Sequence, residues 1–179
     1  MPPVLQVRRL PTLGDREIQG LSDVLLDCVA GGASVSFMHP LSPDGAEAFW
    51  RRIAASLARG ERLLLAAEDA AGAIVGTVQV VLDQPENQPH RGDLAKMLVH
   101  RRARRQGVGA ALLAAAERGA MGAGKTLLVL DTVTGGDAER LYSRHGWQRV
   151  GEIPNYALWP DGRPCATTIF WKSLCSRRE

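Results

Sequence analysis

The spacing of apolar residues predicts two helices in the first third of the chain. From Asp15 to Ala30 the apolar side chains recur at steps of three and four residues, which is typical of an amphipathic helix, and Gly31-Gly32 ends it. Ser42 followed by Pro43 is typical of a helix start. We therefore expect a second helix from this point to residues 58–60.

The pattern then changes to short apolar runs of strand length. Arg62–Glu68 and Ile74–Leu82 flank the turn sequence Asp69–Gly72, which predicts a β-hairpin. A polar, proline-containing loop at 84–91 follows, and Asp93–His100 is predicted to be the next strand. Three consecutive strands indicate that this part of the sheet is antiparallel.

The other segments extend this sheet and add two more helices. The predicted order β-α-α-β-β-β-α-β-α-β-β indicates an α/β (α+β) fold, with a mixed, mostly antiparallel sheet of about six to seven strands covered by about four helices. We expect residues 1–179 to form one domain. The remaining predicted elements are strands at Val4–Leu10, Thr126–Asp131, Trp147–Ile153 and Thr167–Leu174, and helices at Gly107–Met121 and Ala138–His145.

Composition and charge exclude several classes of protein. The 22 basic and 19 acidic residues leave a net charge of +3, which does not indicate a nucleic-acid or membrane partner. Because there is no signal-like start and no apolar run of membrane-spanning length, we expect a soluble cytoplasmic protein.

Cysteine and histidine spacing indicates neither a disulfide scaffold nor a metal site. Cys28, Cys165 and Cys175 are odd in number and far apart, so we predict free thiols. The histidines show no metal-ligand spacing, and we expect no metal. They are His39, His90, His100 and His145.

The stretch from Leu94 to Gly109 carries the clearest chemical signal. An apolar strand leads into a basic loop, and Gly107 and Gly109 lie at the start of a predicted helix. The first turn of a helix has free backbone N–H groups, and glycine leaves room for a phosphate group to approach them. The arginines of the loop are Arg101, Arg102, Arg104 and Arg105. The sequence therefore predicts a phosphate-bearing ligand, although the spacing fits neither a Walker A loop nor a Rossmann fingerprint.

Two motifs together resemble the GNAT N-acetyltransferases. Arg104-x-x-Gly107-x-Gly109, after a strand and at a helix start, resembles the acetyl-CoA signature of that family. The run from Ala138 through Tyr142 to Gly146-Trp147 resembles its second signature. The position three before Ala138, often Asn in relatives, is Gly135 and has no assigned role.

The resemblance implies a GNAT-like fold that binds acetyl-CoA as co-substrate, with residues 97–109 as its site. The backbone of the strand would pair with the pantetheine arm, and the N–H of Leu98 would polarise the thioester carbonyl. Backbone N–H groups at the helix start would hold the pyrophosphate. The implied cofactor-binding residues are Met97, Leu98, Val99, Arg104, Arg105, Gln106, Gly107, Val108 and Gly109.

Three residues are candidates for the proton transfers that amine acetylation requires. The resemblance implies that Tyr142 protonates the leaving thiolate, while Asp131 and Asp93 are candidates to accept a proton from the acceptor ammonium. Each also has an ordinary structural interpretation, Tyr142 as a core residue of an amphipathic helix and the aspartates as turn residues.

The segments Gly32–Phe37 and Asn155–Arg163 are expected to recognise the acceptor, with Ser34, Phe37 and Arg163 as candidate contacts. The runs Gly31–Val35, Phe37-Met38 and Pro160–Arg163 also resemble the tabtoxin-resistance acetyltransferases of the same superfamily, which act on an amino-acid-like β-lactam toxin. The expected acceptor is therefore a primary amine on a small molecule.

Two other functions remain open from the sequence. A protein lysine or N-terminal acetyltransferase would use the same cofactor site, although the predicted acceptor loops are not notably acidic. A non-enzymatic nucleic-acid binder would use the Arg101–Arg105 run but would leave Gly107 and Tyr142 without a role. The resemblance is compatible with a homodimer, and the residues do not decide the oligomeric state.

Overall fold

A computed structural model describes residues 5–174 of the chain as seven strands, four α-helices and one short 3₁₀-helix around a single sheet. The strands are β1 (Gln6–Arg9), β2 (Arg62–Glu68), β3 (Ile74–Val81), β4 (Arg91–Val99), β5 (Leu127–Val133), β6 (Gln148–Leu158) and β7 (Pro164–Ser173). The helices are α1 (Asp15–Ala30), α2 (Pro43–Ala58), α3 (Val108–Gly122) and α4 (Asp137–Arg144), with the 3₁₀-helix at Arg101–Ala103.

The strand order is β1-β2-β3-β4-β5-β7-β6. Every neighbouring pair is antiparallel except β4 and β5, which run parallel and are joined through α3. This confirms the predicted mixed, mostly antiparallel sheet and the order of its elements. A parallel pair in the middle of the sheet brings the carboxyl ends of two strands together, an arrangement that often holds a ligand.

The helix starts follow from local chemistry. Ser42 caps α2 by accepting a 3.1 Å hydrogen bond from the N–H of Gly45, and Pro43 occupies the first turn, as predicted. Gly107 precedes α3 with a φ of 81°, a left-handed conformation that favours glycine.

The end of the chain differs from the prediction. Residues 154–158 were expected to form a loop, but β6 continues through them to Leu158, and β7 begins at Pro164 rather than Thr167. The strand register shifts between Ile153 and Ala157, and β6 lies at the edge of the sheet. A bulge on an edge strand accommodates proline, so Pro154 does not end the strand. At the other end, Val4 of the first predicted strand lies outside the described residues.

Two apolar cores lie on opposite faces of the sheet. On one face α3 and α4 cover the central strands, with Leu112, Leu113 and Phe170 among the buried residues. On the other face α1 and α2 enclose Trp50 and Leu98. Because α1 and α2 contact only β2, β3 and β4 appreciably, the face of β5 on this side is not covered by a helix.

The described residues contain no helix that is long and apolar enough to cross a membrane. Within the same range, no cluster of three His, Cys, Asp or Glu side chains could hold a metal ion. Cys28 and Cys165 are buried free thiols, and Cys175 lies outside the described range.

Candidate active site

A gap opens between β4 and β5 at the centre of the sheet. The two strands pair only at Arg91–Leu127, Gly92–Leu128 and Asp93–Val129, although β4 continues to Val99 and β5 to Val133. Beyond Asp93 the edge of β4 that faces β5 therefore has no strand partner among the described residues. An unpaired edge presents N–H and C=O groups that an extended ligand can bind as an additional strand.

A bulge in β4 sets which N–H groups face this gap. Leu98 pairs with Thr77 and Ala95 with Gln79, so β4 has one extra residue there, and Lys96 has a φ of 51°. The N–H of His100 donates to the carbonyl of Val75 at 2.9 Å.

Main-chain hydrogen bonds alternate along an antiparallel pair, so the N–H of Leu98 also faces β3. The N–H groups of Met97 and Val99 point the other way, toward the gap. The donor expected at Leu98 is therefore better placed at Met97 or Val99.

The start of α3 lies at the end of this strand and is suited to an anion. The N–H groups of Val108 and Gly109 precede the first intrahelical hydrogen bond, which Ala111 donates to Gly107 at 3.0 Å. Gly107 is exposed, and a side chain there would meet no atom within 4 Å. Val108 is buried, so only its main chain is available to a ligand. Free N–H groups beside open space favour a phosphate.

Gly109 has a different role from the one expected. A Cβ atom at Gly109 would lie 3.1 Å from Cδ2 of Leu141, so this glycine allows α3 to pack closely against α4. Open space for a ligand is thus associated with Gly107, and Gly109 serves the contact between the two helices.

The structure divides the arginine run into two pairs. Arg101 forms a 2.9 Å salt bridge with Asp27 of α1, and Arg102 forms a 2.8 Å salt bridge with Asp69 of the β2–β3 turn. These two arginines therefore anchor the loop to the rest of the protein.

Arg104 and Arg105 make no salt bridge within residues 5–174. Arg104 donates from Nε to the carbonyl of Val99 at 3.2 Å, and Arg105 is exposed with a φ of 61°. Gln106 donates to the carbonyl of Arg102 at 3.0 Å. The positive charge available to a ligand is concentrated at positions 104 and 105.

Tyr142 lies on α4 and is buried against Trp147 and Phe170, with ring centroids 5.7 and 6.1 Å away. Burial, assisted by the negative charge of Asp131, raises the pKa of the Tyr142 hydroxyl above its usual value. The hydroxyl therefore stays protonated at neutral pH.

Asp131 and Asp93 have different surroundings although both lie on the same face of the sheet. Asp93 receives hydrogen bonds from Arg91 and, at 3.1 Å, from Gln84. Asp131 is exposed and accepts a 2.9 Å hydrogen bond from the hydroxyl of Thr167. Of the two, Asp131 retains more capacity to bind a ligand and lies nearer to Tyr142.

The three candidate acceptor contacts do not form one cluster. Ser34 donates to the carbonyl of Leu158 at 2.7 Å and so fastens the α1–α2 loop to β6. Phe37 packs edge-on against Phe49, with centroids 5.2 Å apart. The Arg163 side chain is 76% exposed and is paired with Asp161, which leaves it less suited to bind an acceptor.

Lys96 is a further candidate site residue that the sequence motifs did not predict. Its Nζ donates to the hydroxyl of Ser36 at 2.9 Å, and the charge of Asp131 acts on it, which places it beside the gap. Lys96 is the one charged residue in the otherwise apolar run from Leu94 to Val99, and this is a signal that could have indicated it.

Comparison with known proteins agrees with this geometry. Residues 30–147 match the sequence profile of the acetyltransferase (GNAT) family. The chain belongs to the GNAT acetyltransferase family. As a member, it is an acyl-CoA N-acetyltransferase, which confirms the predicted class of enzyme.

Solved structures share the fold of this acetyltransferase at low sequence identity. The protein yncA from Salmonella typhimurium, assigned as an acetyltransferase and solved with acetyl-CoA, is 17% identical to this chain. Its TM-score is 0.77, and the match covers 98% of this chain and 96% of the other. A protein assigned as a phosphinothricin N-acetyltransferase is 20% identical, with a TM-score of 0.77 over 96% and 99%. A ribosomal-protein-alanine N-acetyltransferase from Brucella melitensis is 19% identical, with a TM-score of 0.76 over 94% and 99%.

Proposed function

We propose that this GNAT acetyltransferase transfers the acetyl group of acetyl-CoA to a primary amine of a small molecule, by direct attack in a ternary complex. The observation that carries the proposal is the gap between β4 and β5, where an unpaired strand edge meets the start of α3. An extended pantetheine arm fits such an edge, and a pyrophosphate fits the free N–H groups at Gly107 and beyond.

The residues present fit acetyl-CoA on several counts. Arg104 and Arg105 supply positive charge for phosphate groups and are not engaged in salt bridges in the described part of the chain. Gly107 leaves open space at the helix start. When bound, acetyl-CoA supplies the activated acetyl thioester.

The chain's own groups then stabilise charge and move protons. An N–H from Met97 or Val99 is placed to stabilise negative charge on the thioester oxygen, an effect worth about 3 kcal/mol of barrier. Asp131 is placed to bind the acceptor ammonium and accept its proton, directly or through a water molecule. The protonated Tyr142 hydroxyl is the proton donor for the departing thiolate.

The acceptor is proposed to be a small amine of amino-acid-like chemistry, of which a tabtoxinine-β-lactam type toxin is one candidate. The loop residues around Ser34, which resemble tabtoxin-resistance acetyltransferases, support this class, as does the similarity to a phosphinothricin N-acetyltransferase. If unrelated amines accept the acetyl group and tabtoxinine-β-lactam does not, this toxin is excluded.

The alternatives are less well supported. Half-buried Lys96 and Arg62 lie near the gap and would repel a basic peptide, although the similarity to a ribosomal-protein-alanine N-acetyltransferase keeps a protein acceptor as the second candidate. Nucleic-acid binding through Arg101–Arg105 is weakened because Arg101 and Arg102 are engaged in salt bridges.

Calorimetric titration of acetyl-CoA tests the proposed function. Gly107→Glu should abolish binding, because glutamate adds bulk and negative charge at the phosphate site. Gly124→Glu is a matched control, since Gly124 has a similar φ of 77° and equally open surroundings at the other end of α3. Binding in the parent and in the control, but not in Gly107→Glu, is the expected result. No binding in the parent would refute the proposal.

A further inference from the structure

Lys96 forms no salt bridge with any residue of the described range 5–174. Its Nζ donates to the neutral hydroxyl of Ser36 at 2.9 Å, and no carboxylate of the described residues lies within salt-bridge distance of it. A lysine ammonium has three N–H donors, so Lys96 retains donors for another group. A half-buried charge is normally held in a direct ion pair, whereas the charge of Asp131 acts on Lys96 from beyond salt-bridge distance.

The surroundings of Lys96 are rich in hydrogen-bond donors. Arg62 donates to Ser56 at 2.8 Å and to Oε1 of Gln79 at 2.6 Å, and it lies close enough for its positive charge to act on Lys96. Gln79 pairs with Ala95, the neighbour of Lys96 on β4, and its Nε2 atom is buried with no partner among the described atoms. A surplus of donors of this kind is suited to an anionic ligand.

A negatively charged side chain, Asp131, lies close to Lys96 near the gap. Asp131 acts electrostatically on both Lys96 and Tyr142, and therefore lies near both. Burial, with a smaller contribution from Arg62, lowers the pKa of Lys96, and Asp131 opposes this shift. A negative side chain at 131 and a positive one at 96 therefore lie near each other beside the gap without forming a salt bridge.

We infer that Lys96 and Ser36 bind a carboxylate of the acceptor while Asp131 holds its amine, so that the acceptor is a zwitterion. This inference rests on the proposed function and assigns the carboxylate site to Lys96 in place of Arg163. The bulge at Lys96 supports it, because a β-bulge redirects a side chain and Lys96 adjoins Met97, whose N–H faces the gap.

The test compares acceptors that differ only in the carboxylate. Each of the common amino acids and its carboxamide is offered as acceptor with acetyl-CoA, and the release of the CoA thiol is measured to obtain kcat and KM. The KM values are expressed as concentrations of the unprotonated amine. In the parent protein we expect kcat/KM to be about 10- to 100-fold higher for the carboxylate, mainly through KM, since hydrogen bonds to charged groups have this strength. In Lys96→Met this preference should disappear.

Two further variants separate a binding role from a structural one. Lys96→Arg keeps the positive charge and should retain most of the preference for the carboxylate. Arg163→Met should also retain the preference, because Arg163 is paired with Asp161 and largely exposed. Loss of the preference in Arg163→Met and its persistence in Lys96→Met would overturn the inference.

The remaining outcomes decide whether the inference, or the proposed function as well, is wrong. If acetyl-CoA binds and amines are acetylated without regard to the carboxylate, the inference is wrong and the proposed function stands. If acetyl-CoA binds but no carboxylated amine of the panel is acetylated, the inference is likewise wrong. If calorimetry shows no binding of acetyl-CoA, both the inference and the proposed function fail.

Discussion

The two sides of the gap are built in different ways. The cofactor side, residues 97–109, is continuous in the chain and offers mainly backbone N–H groups, with Arg104 and Arg105 beside them. The acceptor side, which comprises Ser36, Lys96, Asp131 and Tyr142, combines side chains from four separate segments. Main-chain recognition depends on local conformation, whereas side-chain recognition depends on how the segments are assembled.

This difference has a consequence for tolerance to mutation. On the cofactor side a substitution acts mainly where it blocks space or removes charge, because the N–H groups remain whichever side chain is present. On the acceptor side each side chain has its own proposed chemical task. We therefore expect the largest losses of turnover from the acceptor side and losses of cofactor affinity from the other.

Tyr142→Phe should have the largest effect on turnover. Removal of the proton donor is expected to lower kcat by about 10²- to 10⁴-fold. Stability should be preserved, because no hydrogen bond of the hydroxyl to another described residue is lost and the ring still packs against Trp147. The pKa of Tyr142 is raised, so the parent should show no loss of kcat from its ionisation below about pH 10.

Tyr156→Phe is the matched control, since Tyr156 is the other of the two tyrosines and is 54% exposed. Steady-state kinetics and thermal unfolding of both variants provide the comparison. Unchanged turnover in Tyr142→Phe would remove its hydroxyl from the mechanism.

Asp131→Asn should reduce kcat/KM by about 10²-fold and flatten the acidic limb of the pH–rate profile, because the group that accepts the proton is lost. Asp93→Asn should have a smaller effect on rate, since Asp93 is held by Arg91 and Gln84. The two pH–rate profiles measure the difference. The opposite ranking would assign the proton transfer to Asp93.

Substitutions in one arginine pair should lower the affinity for acetyl-CoA, and substitutions in the other should lower the stability of the fold. Arg104→Gln with Arg105→Gln is expected to weaken acetyl-CoA binding by about tenfold, and less at high salt, because charge-assisted contacts to phosphate are lost. Arg101→Gln with Arg102→Gln should instead lower Tm, since salt bridges to Asp27 and Asp69 are broken. Calorimetry and thermal unfolding of both double variants give the result. Equal losses of acetyl-CoA affinity in the two double variants would contradict the division of the arginines into a binding pair and an anchoring pair.

Asp27→Asn should change stability with little effect on chemistry. Burial alone would raise the pKa of Asp27, but hydrogen bonds from the main chain and side chain of Arg101 outweigh it and lower the pKa below 3.8. Because the folded pKa is depressed, the carboxylate stabilises the fold above about pH 4, and this contribution is lost as the pH falls through the folded value.

The measurement is urea unfolding of the parent and of Asp27→Asn at several pH values. At pH 7 we expect a loss of about 1–3 kcal/mol in the free energy of unfolding, shrinking toward zero in acid. Asp23→Asn, at an exposed position on the same helix, is the control. A pH-independent difference would mean that the charge of Asp27 does not act through Arg101.

Much of the fold could be predicted because its signals are local. Helices α1 and α2 follow from apolar spacing and from the Ser42-Pro43 start, and the β2–β3 hairpin follows from its turn residues. The extension of β6 past Pro154 could not be predicted, because it depends on the edge position of that strand. Prolines and polar residues indicate a loop until the neighbouring strand is known.

The candidate site likewise has a part that could be predicted from local sequence and a part that depends on tertiary contacts. The sequence by itself determined where the proposed cofactor side lies, because a glycine-rich helix start after a basic loop forms a candidate anion site from contiguous residues. Only the tertiary structure decided that Arg101 and Arg102 form salt bridges with Asp27 and Asp69, and that Gly109 allows α3 to pack against α4. It also decided that Lys96 contacts Ser36 and forms no salt bridge within residues 5–174. These features depend on contacts between side chains that are far apart in the sequence, and a local pattern of residues does not specify such contacts.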